Sequence, residues 1–233
     1  MVSKSESKPQ DQDNQQKIKV IPNGPYLVSG GIPLIQEEIR DDSEGYCHAW
    51  HDIKQYPVTE QYALCRCGHS SNKPFCDGTH AKIGFDGTET AGNDPYRKNS
   101  QEIDGPDLIL TDRKNLCVHA RFCLSAGGIR NLTRQSDNPD AKEKAIEEAG
   151  NCPSGRLVVW DKKTGKSIEP EFGKSIVVTE YPSRWEQGPL WVRGGIPIES
   201  AEGAIYEIRN RVTLCRCGKS HNKPFCDGSH IEK

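Results

Sequence analysis

The apolar residues of this chain fall in short runs broken by Gly, Pro and charged positions, and one such pattern occurs twice. Gly24-Pro25-Tyr26-Leu27-Val28-Ser29-Gly30-Gly31-Ile32-Pro33-Leu34 is matched by Gly188-Pro189-Leu190-Trp191-Val192-Arg193-Gly194-Gly195-Ile196-Pro197-Ile198. Each copy predicts a short strand, a Gly-Gly-x-Pro turn and a second strand ending in Tyr62 to Leu64 or Val212 to Leu214. Paired upstream strands are what a duplication leaves and chance does not. The first copy carries 14 extra residues before its next repeated element, among them Cys47, His48 and His51. That group has no fourth ligand and predicts a solvent-side loop.

Between the copies the pattern changes. Asp107 to Leu110 predicts a strand. Asp140 to Ala149 predicts a helix, with Pro139 before it and Gly150 closing it, and Arg156 to Trp160 predicts a strand turning at Lys163-Thr164-Gly165. The chain accordingly divides into a disordered polar tail over 1–20, a first copy over 21–100, an insert over 101–171, a linker over 172–187 and a second copy over 188–233. The fold class expected is α+β, with two small domains flanking an α+β insert.

Composition narrows the chemistry. Hydrophobic residues make up 33% and aromatic ones 7% of the 233 residues, with a mean hydropathy of −0.75, lean for several apolar cores. Small units with little core usually need a staple such as a metal. A net charge of −2 and a pI near 6.4 give no electrostatic case for nucleic acid. No apolar run approaches the roughly 20 residues that span a bilayer, so a protein without membrane contact is expected. The first residues read as neither a secretory signal nor a transit peptide. Ten Cys without an export signal argue against disulfides and for a reducing compartment, the cytoplasm.

Each copy ends in a Cys-rich motif. Leu64-Cys65-Arg66-Cys67-Gly68 runs through Asn72-Lys73-Pro74-Phe75 to Cys76-Asp77-Gly78-Thr79-His80, and Leu214-Cys215-Arg216-Cys217-Gly218 runs through Asn222-Lys223-Pro224-Phe225 to Cys226-Asp227-Gly228-Ser229-His230. Fourteen of seventeen positions are identical and the spacing is C-x-C-x8-C-x3-H in both. Three thiolates and one imidazole form a four-point set for iron–sulfur or zinc. C-x-C is tight for one tetrahedral zinc, whose knuckles usually read C-x2-4-C. A two-iron cluster can use it, because adjacent ligands bind one iron and a distant pair the other.

These motifs resemble the CDGSH iron–sulfur (mitoNEET-like) family, whose pattern C-x-C-x2-[ST]-x3-P-x-C-D-G-[STA]-H both copies match throughout, Ser70, Pro74, Ser220 and Pro224 included. The resemblance implies one [2Fe-2S] cluster on Cys65, Cys67, Cys76 and His80 and another on Cys215, Cys217, Cys226 and His230. It also implies strands forming a shared β-cap, here as an intramolecular pseudo-dimer and hence a monomer. Asp77 and Asp227 stand behind the ligands, either capping a helix or making an ordinary turn. Arg66, Lys73, Arg216 and Lys223 are expected to be solvated charges, and His69 and His221 to be exposed.

In the insert, C-x5-C-x28-C-P places Cys117, Cys123 and Cys152-Pro153 at three of four ferredoxin ligand positions, with Ala120 at the other. This stretch resembles divergent single-cluster ferredoxins. It implies a [3Fe-4S] cluster, or a [4Fe-4S] cluster with His119 on the fourth iron; three reduced structural Cys without metal is the alternative. No Ser/His/Asp arrangement, phosphate loop or dinucleotide fingerprint is present, so no catalytic residue is assigned. The expected work is one-electron transfer or [2Fe-2S] delivery to a redox or cluster-acceptor protein. Its rivals are a catalytic redox protein and a pair of structural zinc modules.

Overall fold

The computed structural model describes residues 16–184 and 186–231. The first copy supplies β1 (Lys17–Val20), β2 (Tyr26–Ser29), β3 (Leu34–Asp41), β4 (Cys47–Tyr56), β5 (Gln61–Leu64) and a short helix, α1 (Thr79–Lys82). The insert follows with β6 (Gln101–Asp104), β7 (Leu108–Asp112), α2 (Ile129–Arg134), α3 (Pro139–Gly150), β8 (Leu157–Asp161) and β9 (Ser167–Ile168). The second copy brings β10 (Ser175–Tyr181), β11 (Glu186–Arg193), β12 (Ile198–Glu199) and β13 (Arg211–Leu214). Three sheets result, ordered β12-β1-β2-β5, β13-β11-β10-β3-β4 and β6-β7-β8-β9.

Each copy's sheet is completed from the other copy, the first by β12 and the second by the β3–β4 pair. β12 lies parallel to β1, with Ile18 opposite Ile198, and β3 lies parallel to β10, with Leu34 opposite Ile176. β12 and β3 each follow the repeated Gly-Gly-x-Pro turn. Gly30 and Gly31 take φ of 82° and 59°, and Gly194 and Gly195 take 79° and 68°, a region that L side chains resist. A Cβ on Gly30 would lie 2.7 Å from the Gln16 backbone, and one on Gly194 2.7 Å from that of Lys174. The turn therefore needs glycine for its shape and for the close approach of the neighbouring strand.

The exchange corrects two expectations. Lys17 to Lys19, placed in the disordered tail, belong to β1, and Ile18 is fully buried. Residues 172–187, placed in a linker, contain β10, whose Ile176 and Val177 are fully buried. Residues 1–15 lie outside the described residues. The lean composition is met by sharing: Ile18, Val28, Leu34, Ile176, Leu190 and Ile198 pack in one core under both sheets. Each such side chain contributes about 1.5–3 kcal/mol on burial.

The 14 extra residues build most of the β3–β4 hairpin, not a solvent-side loop. Cys47 is buried there at 3% exposure, while His48 is exposed and His51 half-buried. In the insert, α3 starts where the sequence places it, with Asn138 accepting from the amides of Asp140 and Ala141 and Pro139 in the first turn. Leu108, Leu110, Ile129, Leu132, Ala145 and Val159 form the insert's own core. A third cluster joins all three parts: Ile39 and Cys47 of the hairpin, Val118, Ala120 and Phe122 of the insert, and Tyr181 and Cys226 of the second copy. Among the described residues no helix is long and apolar enough to cross a membrane.

Candidate metal centres

Each Cys-rich loop leaves its strand and folds back onto it. Leu64 bridges Phe75, and Leu214 bridges Phe225. The amides of Cys65 and Cys215 donate to the carbonyls of Pro74 and Pro224 at 2.8 and 2.9 Å, and those of Cys76 and Cys226 donate to Ala63 and Thr213 at 2.9 Å. The Ser70 hydroxyl donates to the Phe75 carbonyl at 2.6 Å and accepts from the Asn72 amide at 3.1 Å. Ser220 repeats this with Phe225 at 2.7 Å and Asn222 at 3.0 Å. The loop shape is thus fixed by backbone amides, those of the candidate cysteines included, and by the Ser70 and Ser220 hydroxyls.

The candidate ligands meet in pairs. Cys65 Sγ lies 3.9 Å from Cys67 Sγ, and Cys76 Sγ lies 3.3 Å from His80 Nδ1. In the second copy Cys215 and Cys217 are 3.7 Å apart, and Cys226 Sγ is 3.4 Å from His230 Nδ1. Among the described residues no three His, Cys, Asp or Glu side chains converge on a point that would hold a single ion.

The residues between them have definite work. Asp77 accepts from the Ser71 hydroxyl and amide at 2.7 and 2.8 Å and from the Thr79 amide at 3.0 Å, which holds its carboxyl well below the usual range. Asp227 does the same with His221 and Ser229; burial opposes its ionisation, but the hydrogen bonds outweigh it and its pKa falls. Both aspartates are turn residues that also tie across the loop. The helix-cap alternative fails for Asp77, since α1 has Gly78 at its N-cap and no side-chain cap. Arg66 and Arg216 correct a second expectation: neither is solvated. Arg66 is 2% exposed and donates to the carbonyls of Gly87 and Ile21. Arg216, 9% exposed, donates to Gly188 and Thr179 carbonyls and pairs with Glu180 at 2.8 Å. His69 and His221 are exposed, as expected.

In the insert Cys117, Cys123 and Cys152 line one small recess, together with His119, Ala120 and Arg156. His119 and Arg121 have positive φ, 58° and 64°, so the segment between Cys117 and Cys123 curls around the recess. Burial, then the neighbouring Cys152, push the Cys123 thiol up to about 12. Arg156 is held on the fully buried Asp112 carboxylate at 2.6 and 2.9 Å. Both Ala120 and His119 border the recess, so the missing fourth thiolate and the imidazole alternative stand side by side.

Iron-binding zinc fingers of CDGSH type match residues 23–81 and 187–231, and the divergent 4Fe-4S mono-cluster family matches residues 103–162. The chain carries two CDGSH domains around a ferredoxin-like insert. It is an iron–sulfur protein by both matches. A comparison with curated proteins returns no match.

The two CDGSH domains differ in what lies on them. In the first, Cys76, Gly78 and His80 are half-exposed; in the second, Cys226, Gly228 and Ser229 are buried. The cover is the insert segment Val118 to Phe122, with Tyr181 beside it. His230 Nε2 is buried without a hydrogen-bond partner, and burial, then Arg216 and His119, bring the His230 pKa down to about 4. Burial and the nearby Cys215 raise the Cys226 thiol. The second loop is also held from behind by Tyr26, whose hydroxyl donates to the carbonyls of Cys215 and Pro224 at 2.8 and 3.0 Å. The repeat places Leu190 at the equivalent position, so the first loop has no such tie from β11. Tyr26 carries no local sequence signal of this role; the hint is the absence of its counterpart in the repeat.

Proposed function

We propose that each CDGSH domain holds a [2Fe-2S] cluster, on Cys65, Cys67, Cys76 and His80 and on Cys215, Cys217, Cys226 and His230, and that the protein carries single electrons. The observation that supports this most is the pairing of donors. In both copies two cysteines stand together, and a Cys and an imidazole Nδ1 stand together. Paired soft donors match a cluster with two irons, one per pair. Such a cluster supplies one-electron chemistry, at a potential raised by the neutral imidazole relative to four thiolates. The chain's own part is to present the thiolates and a deprotonated Nδ1 in a loop braced by Ser70, Asp77, Ser220 and Asp227, and to limit water. Asp77 and Asp227 act behind the ligands, through the loop.

The insert is read as a third site, on Cys117, Cys123 and Cys152, for a [3Fe-4S] cluster, or a [4Fe-4S] cluster completed by His119. Cluster delivery is the second reading. It is favoured by the half-exposed Cys76 and His80, and would belong to the first domain alone. The exchanged strands support an intramolecular pairing of the copies, and so a monomer.

Anaerobically purified protein tests this by optical and paramagnetic spectra with iron and sulfide analysis. About four irons are expected from the flanking sites and about three or four more from the insert. A colourless protein containing zinc overturns the reading, and iron limited to about four removes the insert's cluster from it.

A further inference from the structure

The three ligand sets touch one another in a definite order. Gly68 and Gly218 each follow the second cysteine of their motif, at φ of 81° and 78°. A Cβ on Gly68 would lie 2.8 Å from the Cys217 carbonyl oxygen, and one on Gly218 2.9 Å from that of Cys67. The inner cysteine pairs of the two CDGSH domains are therefore back to back, with backbone against backbone. At the other end of the second loop, Gly228 lies two residues from both Cys226 and His230. A Cβ there would lie 2.7 Å from the Cys117 carbonyl oxygen, 2.7 Å from His119 Cδ2 and 3.1 Å from His119 Nε2. The same position in the first domain, Gly78, has nothing within 4 Å.

Both joints are held in place. Arg211, on the strand leading to Cys215, donates to the carbonyls of Cys152, Ala149 and Leu157 at 2.8, 2.8 and 3.0 Å. The Trp50 indole, from the hairpin that only the first domain has, donates to the Asn151 carbonyl at 3.2 Å. The insert is thus clamped with its cysteine segments against the outer ligand pair of the second domain, and the ligand loop of the first domain meets that of the second across Gly68 and Gly218.

We propose that the three sites form one electron path of fixed order, with the second CDGSH domain between the insert and the first, and with the His119–Gly228 contact as the insert's joint. The proposal rests on the reading that all three sites hold clusters. With clusters held by the three ligand sets, an electron supplied by a one-electron donor at one end of the path would pass between the insert site and the first-domain site through the second-domain site, each site giving up the electron as the next gains it, and a one-electron acceptor would take it at the other end; the first domain is open on its Gly78 side. No bond forms or breaks, and each site returns to its starting state.

The test is electron redistribution after mixing the three-site protein with substoichiometric dithionite, followed by freeze-quench paramagnetic spectra at several protein concentrations. In the wild type the redistribution should be independent of concentration. Emptying the second site with Cys215→Ala and Cys217→Ala should abolish that phase, leaving exchange between insert and first domain that scales with protein concentration. Emptying the first site with Cys65→Ala and Cys67→Ala should leave exchange between insert and second domain independent of concentration. This second variant decides the matter if the first fails to keep its insert cluster. Concentration-independent exchange without the second site, or its loss without the first, overturns the order. Three spectra that exchange only by collision in the wild type overturn the path and leave the three-cluster reading standing. A wild-type protein with no insert signal overturns both.

Discussion

In the first CDGSH domain Cys76 and His80 are half-exposed beside an open Gly78; in the second, Cys226 is buried, His230 Nε2 is sealed, and Gly228 is pressed against the insert. The donor types, the spacing and the Ser and Asp braces within each loop are the same in both. What differs is the surface laid against them, and that surface sets how far water, protons and other proteins can reach. Two copies of one site can therefore divide the work, the outer one meeting the surroundings and the inner one serving as a protected neighbour of the insert.

The largest expected effect separates the two histidines. His230, held to about 4 by burial with Arg216 and His119, stays neutral near pH 6 with its Nε2 buried, whereas the His80 loop has open space at Gly78. His80→Cys alone should slow the acid bleaching of visible absorbance near pH 6 by roughly ten-fold, since a protonatable imidazole gives way to a thiolate. His230→Cys alone should change it little. Equal effects of the two variants would mean that the cover does not protect.

The next effect tests the cover. Trp50 packs on Phe122, Tyr181 and Trp191 at 5.3, 6.4 and 5.0 Å between ring centroids. Trp50→Ala should cost about 2–4 kcal/mol in unfolding free energy, a discount on full aromatic truncation because Trp50 is half-buried. In metal-free protein it should also speed alkylation of Cys226 towards that of Cys76. A variant in which Cys226 stays as slow as before would place the protection elsewhere.

A smaller effect is expected at Tyr26. Tyr26→Phe keeps the ring but removes the buried hydroxyl donor from the Cys215 carbonyl and leaves the Pro224 carbonyl with the Cys215 amide, at a cost of about 1–2 kcal/mol. Hydrogen exchange should rise around Cys215 and Pro224 and not around Cys65 and Pro74. A symmetric response would deny the asymmetry of the brace.

The smallest lies within the insert itself. Burial raises Glu148 from 4.5 to about 7, against the opposing hydrogen bond from Ser125 at 2.6 Å. The folded state retains a proton that the unfolded chain releases, so this contribution is complete below pH 4.5 and is lost as pH rises through 7. Glu148→Gln should therefore stabilise the protein by roughly 1–2 kcal/mol at pH 8 and by less at pH 6. Melting curves at the two pH values check it; an equal gain at both would exclude the proton.

Much of this was legible in the chain. Ligand spacing, the duplicated strands and the helix of the insert all announce themselves through local patterns, because each is specified by neighbours in sequence. The parts that were not legible depend on distant partners. Lys17 to Val20 sits at the end of a polar stretch, and its parallel neighbour is Ile198 and Glu199, so nothing local marks it as a central strand. Arg66 and Arg216 look like solvated charges until carbonyls from Gly87, Gly188 and Thr179 are seen to receive them. The 14 extra residues read as a loop because their purpose, carrying Cys47 and Trp50 to the insert, exists only in three dimensions.

The exchanged strands have one more consequence. A nick in the exposed turn at Lys163 to Gly165 would leave an amino-terminal piece lacking β12 and a carboxy-terminal piece lacking β3. Each piece would expose the strand edge that the other alone fills, so the halves should co-purify after cleavage and part only on denaturation. The chain is a clasp closed on itself, and neither CDGSH domain can be cut out of it as a self-sufficient module.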